Sequence, residues 1–371
     1  MDEEGQDNIV AALEHRDRII SIFFQDQNIS SVQKFTHMMR EPFPALTDFH
    51  LRSYDFMPLD LLETFSGGSA PQLQSFTLWG IAFPSFPILA LSASFLSHLR
   101  LWDIPRTGYI SPEAVATCLA ALPCLKSFYF GFQSPQSHTD RINMPPQTRA
   151  VLPVLTRFGC KANSEYVEDL VAQIDTPLLM RLEITFFMNS NFNIPQLDKF
   201  ITRTESLGLL NRAEVKFYFA KAAIVLGLEW PTRVELELRY DERVPQVLSM
   251  AQVCSQLSPL IGRVEHLNLN ELATYQTDWK NVHPAQWIGL LQPFIGVQSL
   301  SVFGKLSPLV ARALQELTAG RVTEVLPALR SLLLEQPLPS VSMWDDIGPF
   351  IVRRQRSNLP VDIHYVYQPS D

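Results

Sequence analysis

Glycine, cysteine and clustered positive charge are all scarce in this chain. Only 15 of its 371 residues are glycine, and they form no Gly-x-Gly-x-x-Gly or Gly-x-x-x-x-Gly-Lys-Ser/Thr run, so the usual phosphate-cradling loops are excluded. The four cysteines, Cys118, Cys124, Cys160 and Cys254, include no Cys-x-x-Cys pair. Each sits in an apolar pattern, which predicts buried free thiols rather than disulfides or metal ligands. No stretch concentrates Lys or Arg, and the formal charge is −8. A nucleic-acid grip or an anionic-membrane anchor needs local positive charge, so neither is expected. The longest apolar runs fall far short of the roughly 18–20 residues of a membrane span. Met1-Asp2-Glu3-Glu4 is acidic where a signal peptide is basic and then apolar. These absences together predict an intracellular protein, cytoplasmic or nuclear, with no membrane partner.

Catalytic signatures are missing too. Gly67-Gly68-Ser69-Ala70-Pro71 fails the Gly-x-Ser-x-Gly nucleophile frame because Pro71 replaces the final glycine. The eight histidines are scattered, and no two lie at the ligand spacing i, i+4 with an acid partner. Asp345-Asp346, beside Trp344, reads as a solvated helical first turn rather than a metal site. The sequence therefore predicts a non-enzyme with no cofactor and no metal.

What the chain has is apolar residues, 46% of the total, in a recurring frame. Pro44-Ala45-Leu46-Thr47-Asp48-Phe49-His50-Leu51 recurs as Pro71-Gln72-Leu73-Gln74-Ser75-Phe76-Thr77-Leu78. It recurs again as Pro123-Cys124-Leu125-Lys126-Ser127-Phe128-Tyr129-Phe130. The shared pattern is apolar-x-x-apolar-x-apolar. It also starts at Ile19, Leu96, Leu155, Leu179, Val264, Val297 and Leu329, with weaker copies at Arg212 and Arg233 and a last strand from Val361. From Ile19 to Val361, twelve steps average about 28 or 29 residues and range from 21 to 33. This is the spacing and core frame of an irregular leucine-rich repeat. A short strand buries its first, fourth and sixth residues, the chain returns along the outside, and neighbouring strands pair in parallel over one shared core.

The return segments carry helical marks. Ser111-Pro112-Glu113 supplies an N-cap, a first-turn proline and an acid at the positive helix end, ahead of Val115, Cys118, Leu119 and Leu122. Tyr166, Val167, Leu170, Val171 and Ile174 form an apolar stripe. Asn193 with Pro195 is expected to cap a helix whose core side is Leu197, Phe200 and Ile201. Trp287, Leu290, Leu291 and Phe294 make a further stripe, as do Val310, Leu314 and Leu317, and Gly67-Gly68 is expected to stop another helix. The fold class predicted is α/β: a leucine-rich-repeat solenoid, or horseshoe, of about 13 strand-turn-helix units with parallel strands on the concave face. After a lead-in over residues 1–15, residues 16–371 read as a single solenoid, with loop insertions near 131–150 and 271–284.

The chain resembles the leucine-rich-repeat part of the fungal F-box/leucine-rich-repeat protein family. The resemblance lies in EPFPALTDFHL (residues 41–51), GGSAPQLQSFTL (67–78), LWDIPRTGYISPEA (101–114), SEYVEDLVAQIDTPLL (164–179), PQLDKFITRT (195–204), ALQEL (313–317) and TEVLPALRSLLLE (323–335). It implies a substrate-binding repeat region of a ubiquitin-ligase receptor. Family members usually carry an F-box upstream that docks on the Skp adaptor of a cullin ligase. No F-box is found in these 371 residues, so Skp adaptor and cullin are expected partners only if an F-box is supplied. The alternative is a stand-alone structural or regulatory repeat protein with no ubiquitin-ligase connection. Either is expected to be a monomer that binds an unidentified protein.

The frame also says which residues leave the core. With positions one, four and six buried, positions three, five and seven face outward. Successive strands then present Asp48, His50 and Arg52; Ser75, Thr77 and Trp79; His98, Arg100 and Trp102; Ser127 and Tyr129; and Arg157 and Lys161. Trp79, His98, Arg100, Trp102 and Tyr129 form the candidate partner-binding surface, since exposed Trp, Tyr and Arg dominate interface energetics. A competing reading folds Trp79 and Trp102 over the strand ends beneath a loop. The middle strands carry Arg181, Glu183, Glu214, Lys216, Glu235, Glu237 and Arg239, which are expected to pair across neighbouring strands.

Overall fold

The computed structural model describes residues 11–25, 42–53, 70–83, 86–136, 149–187, 192–207, 210–227, 231–239, 246–272, 279, 282–318, 321–336 and 343–367. The Gly67-Gly68 helix stop lies outside them. So does the greater part of each insertion, near 131–150 and near 271–284. The chain divides into two compact units, Met1–Leu182 and Glu183–Asp371, where the sequence suggested no boundary.

In the first unit, β1 (Ser21–Phe24), β2 (Asp48–Arg52), β3 (Ser75–Trp79), β4 (His98–Ile104), β5 (Ser127–Phe132) and β7 (Arg157–Ala162) lie side by side in that order. Every pair is parallel, and the frame positions are in register up to a shift in β4 between Leu101 and Ile104. The fourth frame position becomes a ladder, Ile22, Phe49, Phe76, Leu99, Phe128 and Phe158, each at most 5% exposed. Its rings stack, Phe49 on Phe76 at 5.3 Å and Phe128 on Phe158 at 5.9 Å. The sixth position makes a second buried row, from Phe24 through Leu51, Leu78, Leu101 and Phe130 to Cys160. Burial pushes the Cys160 thiol up to about 12, so it packs as a small apolar group. Cys118 and Cys254 are likewise buried, but Cys124 is exposed: it precedes the first frame position and points outward.

A single backbone device joins one repeat to the next. The carbonyl at frame position two accepts both amides that open the following strand: Ile20 from Thr47 and Asp48, Thr47 from Gln74 and Ser75, Gln74 from Ser97 and His98, Ser97 from Lys126 and Ser127, and Lys126 from Thr156 and Arg157. Hydroxyls at position two reinforce it. Thr47, Ser97 and Thr156 donate to the same carbonyls at 3.0–3.1 Å.

The return helices form as their caps dictate. In Pro112–Ala120, Ser111 Oγ accepts from Ala114 N at 3.3 Å, Pro112 opens the helix, and Val115, Cys118 and Leu119 are buried, as is Leu122 beyond it. In Ser164–Gln173 the buried stripe is Tyr166, Val167, Leu170 and Val171, and the Tyr166 hydroxyl donates to Ile110 O at 2.8 Å. Ile174 is buried as expected but opens β8 (Ile174–Asp175), which pairs with β6 (Ala150–Val151) in a two-stranded parallel sheet.

The second unit departs from a simple repeat. β9 (Arg181–Phe187) carries the chain into it. There β10 (Arg212–Phe217), β11 (Lys221–Leu226) and β12 (Arg233–Arg239) form an antiparallel meander, followed by β13 (His266–Glu271), β14 (Ser299–Val302), β15 (Ser331–Gln336) and β16 (Asp362–Tyr367). The sheet order is β9-β12-β11-β10-β13-β14-β15-β16, with β10 to β13 and all later pairs parallel. The weak copies at Arg212 and Arg233 are therefore not consecutive parallel repeats. The frame of β10 also starts two residues earlier than expected, at Leu210. Ala213 pairs with Leu267 and Val215 with Leu269, and the Asn211 carbonyl takes the amides of Glu265 and His266.

The meander has clear local causes. Tyr218 N donates to Lys221 O at 2.8 Å across a tight turn. Gly227 takes a left-handed φ of +74°, and a Cβ there would meet Thr232 O at 2.6 Å. Ala222-Ala223-Ile224-Val225-Leu226 is buried on both faces, the pattern of a central strand.

Pro195 opens its helix, but the cap residue is Ile194 rather than Asn193. Its orphan amide is satisfied from the neighbouring helix, Gln256 Oε1 accepting from Ile194 N at 2.6 Å. Near the end of the chain the fully buried Arg354 donates to the carbonyls of Val322, Leu326, Pro327, Leu329 and Leu359 at 2.9–3.4 Å. It stitches the last helix (Met343–Arg356) onto the preceding turns, where orphan carbonyls would otherwise be buried.

Phe128→Ala should lower stability by about 3–5 kcal/mol, because the ladder cannot close over the missing ring. Urea denaturation would measure it, and a midpoint equal to wild type would show that the fourth frame position is not core.

Candidate functional site

The same alternation that buries positions four and six sends three rows of side chains to the open face of the first unit's sheet. The fifth-position row reads Phe23, His50, Thr77, Arg100, Tyr129 and Gly159 across successive strands. The seventh-position row places Arg52, Trp79 and Trp102 on adjacent strands. These two rows bring Trp79, Arg100, Trp102 and Tyr129 together, with His98 one row below.

The aromatic groups touch in sequence. Trp79 and Trp102 have ring centroids 6.4 Å apart at 54°, and Trp102 meets Tyr129 edge-on at 6.4 Å and 70°. Both ends carry a guanidinium: Arg52 lies 4.5 Å from the Trp79 ring centre and Arg100 4.6 Å from that of Tyr129. Phe23, 63% exposed, stacks on His50 at 4.4 Å. Trp79, Trp102 and Tyr129 are half-buried, while His98 and Arg100 are exposed.

Two glycines determine how Tyr129 and Trp102 lie. A Cβ on Gly159 would collide with the Tyr129 ring, so the ring rests flat against β7 because that position has no side chain. A Cβ on Gly131 would sit 3.1 Å from the Trp102 ring and 2.8 Å from Lys161 Cβ. Lys161 takes its expected place in the seventh row, beside Gly131 and near Trp102, but is not exposed there. It is buried, and its Nζ donates to Asp103 Oδ1 at 2.6 Å. Asp103 reaches it from an irregularity in β4 between Leu101 and Ile104, with φ +53°. Ser127, also expected outward, is buried at 7% exposure.

The histidines report the local field. Partial burial and then the charges of Arg52 and Arg100 lower His50 from its ordinary value. His98 is lowered by burial, Arg157 and Lys126, with Asp48 opposing. His98 Nδ1 lies 2.8 Å from Ser97 Oγ.

The charged strands of the second unit pair differently from expectation. Lys216 binds Glu214 at 2.9 Å, Arg233 binds Glu235 at 2.7 Å and Arg239 binds Glu237 at 2.9 Å, each along one strand at i, i+2. A cross-strand pair, Lys221 to Glu237 at 2.6 Å, uses the strand the sequence did not reveal. These side chains flank Ala223 and Val225, both fully buried, whose register partners are Lys216 and Glu237, and Glu214 and Glu235. Burial alone would raise Glu237, but hydrogen bonds and charge from Lys221 and Arg239 hold it below the usual carboxylate range.

Among the described residues, no group of three or more His, Cys, Asp or Glu is placed to hold a metal ion. No helix among them is long and apolar enough to cross a membrane.

No family model matches the chain, and no curated protein does. Among solved structures, it is similar to the leucine-rich-repeat-containing protein LegL7 from Legionella pneumophila. The match has 11% identity and a TM-score of 0.35, and covers 89% of this chain and 97% of that one. A superposition that loose does not define the fold. The strand pairing does: a mixed α/β chain with a mostly parallel sheet built on a leucine-rich-repeat frame.

Gly159→Ala should push the Tyr129 ring off its seat and cost roughly 1–3 kcal/mol. Near-UV circular dichroism and urea denaturation would register both, and an unchanged aromatic spectrum would refute the packing. Glu237, depressed in the folded state, stabilises it above the unfolded carboxyl's pKa and loses that contribution as pH falls through the folded value. Urea midpoints followed from neutral to acid pH should thus fall less steeply for Glu237→Gln than for wild type. Parallel curves would contradict the assignment.

Proposed function

We propose that the chain is a non-catalytic protein-recognition module whose partner docks on Trp79, His98, Arg100, Trp102 and Tyr129. The observation that carries this reading is the in-register run from Arg52 over Trp79 through Trp102 and Tyr129 to Arg100 on the open face of the sheet. Aromatic rings and arginines that are close together, half-buried and held by their neighbours lose little conformational freedom on binding, which is how interface anchors work. The finer reading, a substrate-binding repeat region of an F-box-type ubiquitin-ligase receptor in the cytoplasm or nucleus, is supported by the sequence resemblance alone.

The test is an affinity capture from a lysate of the source organism, read by mass spectrometry, with wild type beside Trp79→Ala/Trp102→Ala. Proteins captured by wild type and lost with the double variant are the expected result, and Skp adaptor and cullin among them would favour the ligase reading. Nothing specific captured by wild type would favour a structural repeat protein instead. The double variant should keep a urea midpoint near wild type, whereas a loss of about 3–5 kcal/mol would mark the tryptophans as core.

A further inference from the structure

The same face has a charge character that the chain as a whole does not. The protein carries a formal charge of −8, yet its open sheet face in the first unit gathers Arg52, Arg100 and Arg157 around the aromatic run, with Lys126 close enough to act on His98. Asp103 is already engaged by Lys161, and Asp48 opposes these cations at His98. Among the described residues, no carboxylate or carbonyl accepts a hydrogen bond from Arg100 or Arg157, and both are exposed. The second unit's meander, by contrast, pairs Lys216, Lys221, Arg233 and Arg239 with its own glutamates.

From this juxtaposition, and resting on the recognition reading above, we infer that the partner is an acidic, extended polypeptide segment bearing aromatic or other apolar side chains between its carboxylates. A guanidinium stacked on a ring, as Arg100 is on Tyr129, keeps its in-plane N–H donors available, and these match a carboxylate bidentately. Arg157 lies across β5 from His98, two strands from Arg100's own strand. The two guanidinium-bearing backbone positions are thus separated by about 10–12 Å, a span of three to four residues of extended chain. An apolar side chain between the two acids would meet Tyr129, and those beyond the acid on Arg100 would reach Trp102 and then Trp79. Burial is the larger cause of the lowered histidines, and the cations beside them act in the same direction.

The probe is a fluorescein-labelled random Glu/Tyr copolymer added to the full chain and followed by fluorescence anisotropy at low and high salt. Glu/Ala and Lys/Tyr copolymers and a single-stranded oligodeoxynucleotide are the comparisons. The Glu/Tyr copolymer should bind best and weaken with salt. Arg100→Ala/Arg157→Ala should reduce binding by about tenfold or more with an unchanged urea midpoint, both side chains being exposed. Because the protein is acidic overall, non-specific charge would repel this probe.

The inference is overturned if the Glu/Tyr copolymer does not bind, if the arginine variant binds it as wild type does, or if the oligonucleotide binds more tightly. Its failure is distinguishable from failure of the recognition reading. Lysate proteins still captured through Trp79 and Trp102, with no copolymer binding, would remove the acidic chemistry alone. Loss of both would remove the docking surface itself.

Discussion

The carbonyl at frame position two, accepting both amides that open the next strand, is the interaction on which the rest depends. It fixes where each new strand begins relative to the last. A slip of one residue would send every core side chain to the solvent face and every outward one inward. With that start fixed, Phe49, Phe76, Phe128 and Phe158 fall into one buried ladder, and Trp79 and Trp102 are placed side by side on the other face without any further instruction. Core and surface are two readings of one register. The device recurs in the second unit at Asn211, Glu265 and Gln298, so it survives the meander that interrupts the simple repeat.

The two units treat charge on their outward strand residues in opposite ways. In the meander, Glu214, Glu235 and Glu237 each hold a cation, and the stems of these side chains flank Ala223 and Val225. That surface is satisfied internally: a charged ligand would have to displace existing pairs and would gain little. In the first unit Lys161 is paired with Asp103, but Arg52 and Arg100 lie on the rings of Trp79 and Tyr129. Cation–π contact orders a guanidinium at modest cost while leaving its hydrogen-bonding edge unspent. One surface is neutralised, and the other is ordered but not neutralised.

Much of the first unit was legible in the sequence because its frame is written in large residues. Leu, Phe and Ile at positions one, four and six are hard to mistake, and strand alternation then assigns the outward rows. The second unit was less legible for two reasons. Ala213 at a fourth position is a weak apolar mark, so Val215 and Phe217 looked like the frame and moved its start from Leu210 to Arg212. Ala222–Leu226 is uniformly apolar, and a strand buried on both faces shows no alternation to distinguish it from a stretch of helix. The burial of Lys161 was not legible for a related reason. Its position in the frame is outward, but Gly131 leaves room for its stem and Asp103 reaches it only through a left-handed backbone residue that no pattern announces.

The basic character of the aromatic face was also invisible in the chain, and the reason is geometric. Arg52, Arg100, Lys126 and Arg157 are separated by intervals of 26 to 48 residues, so no sequence window contains two of them. A repeat near 28 residues folds that distance into strands about 4.8 Å apart, so charges remote along the chain share one field. Stretches rich in Lys or Arg are thus a poor guide to positive surface in a repeat protein, where one cation per strand suffices. Beyond burial, Arg100 from another strand adds to Arg52 in lowering His50, and Arg157 acts on His98 from two strands away: the register which builds the core also sums the charge.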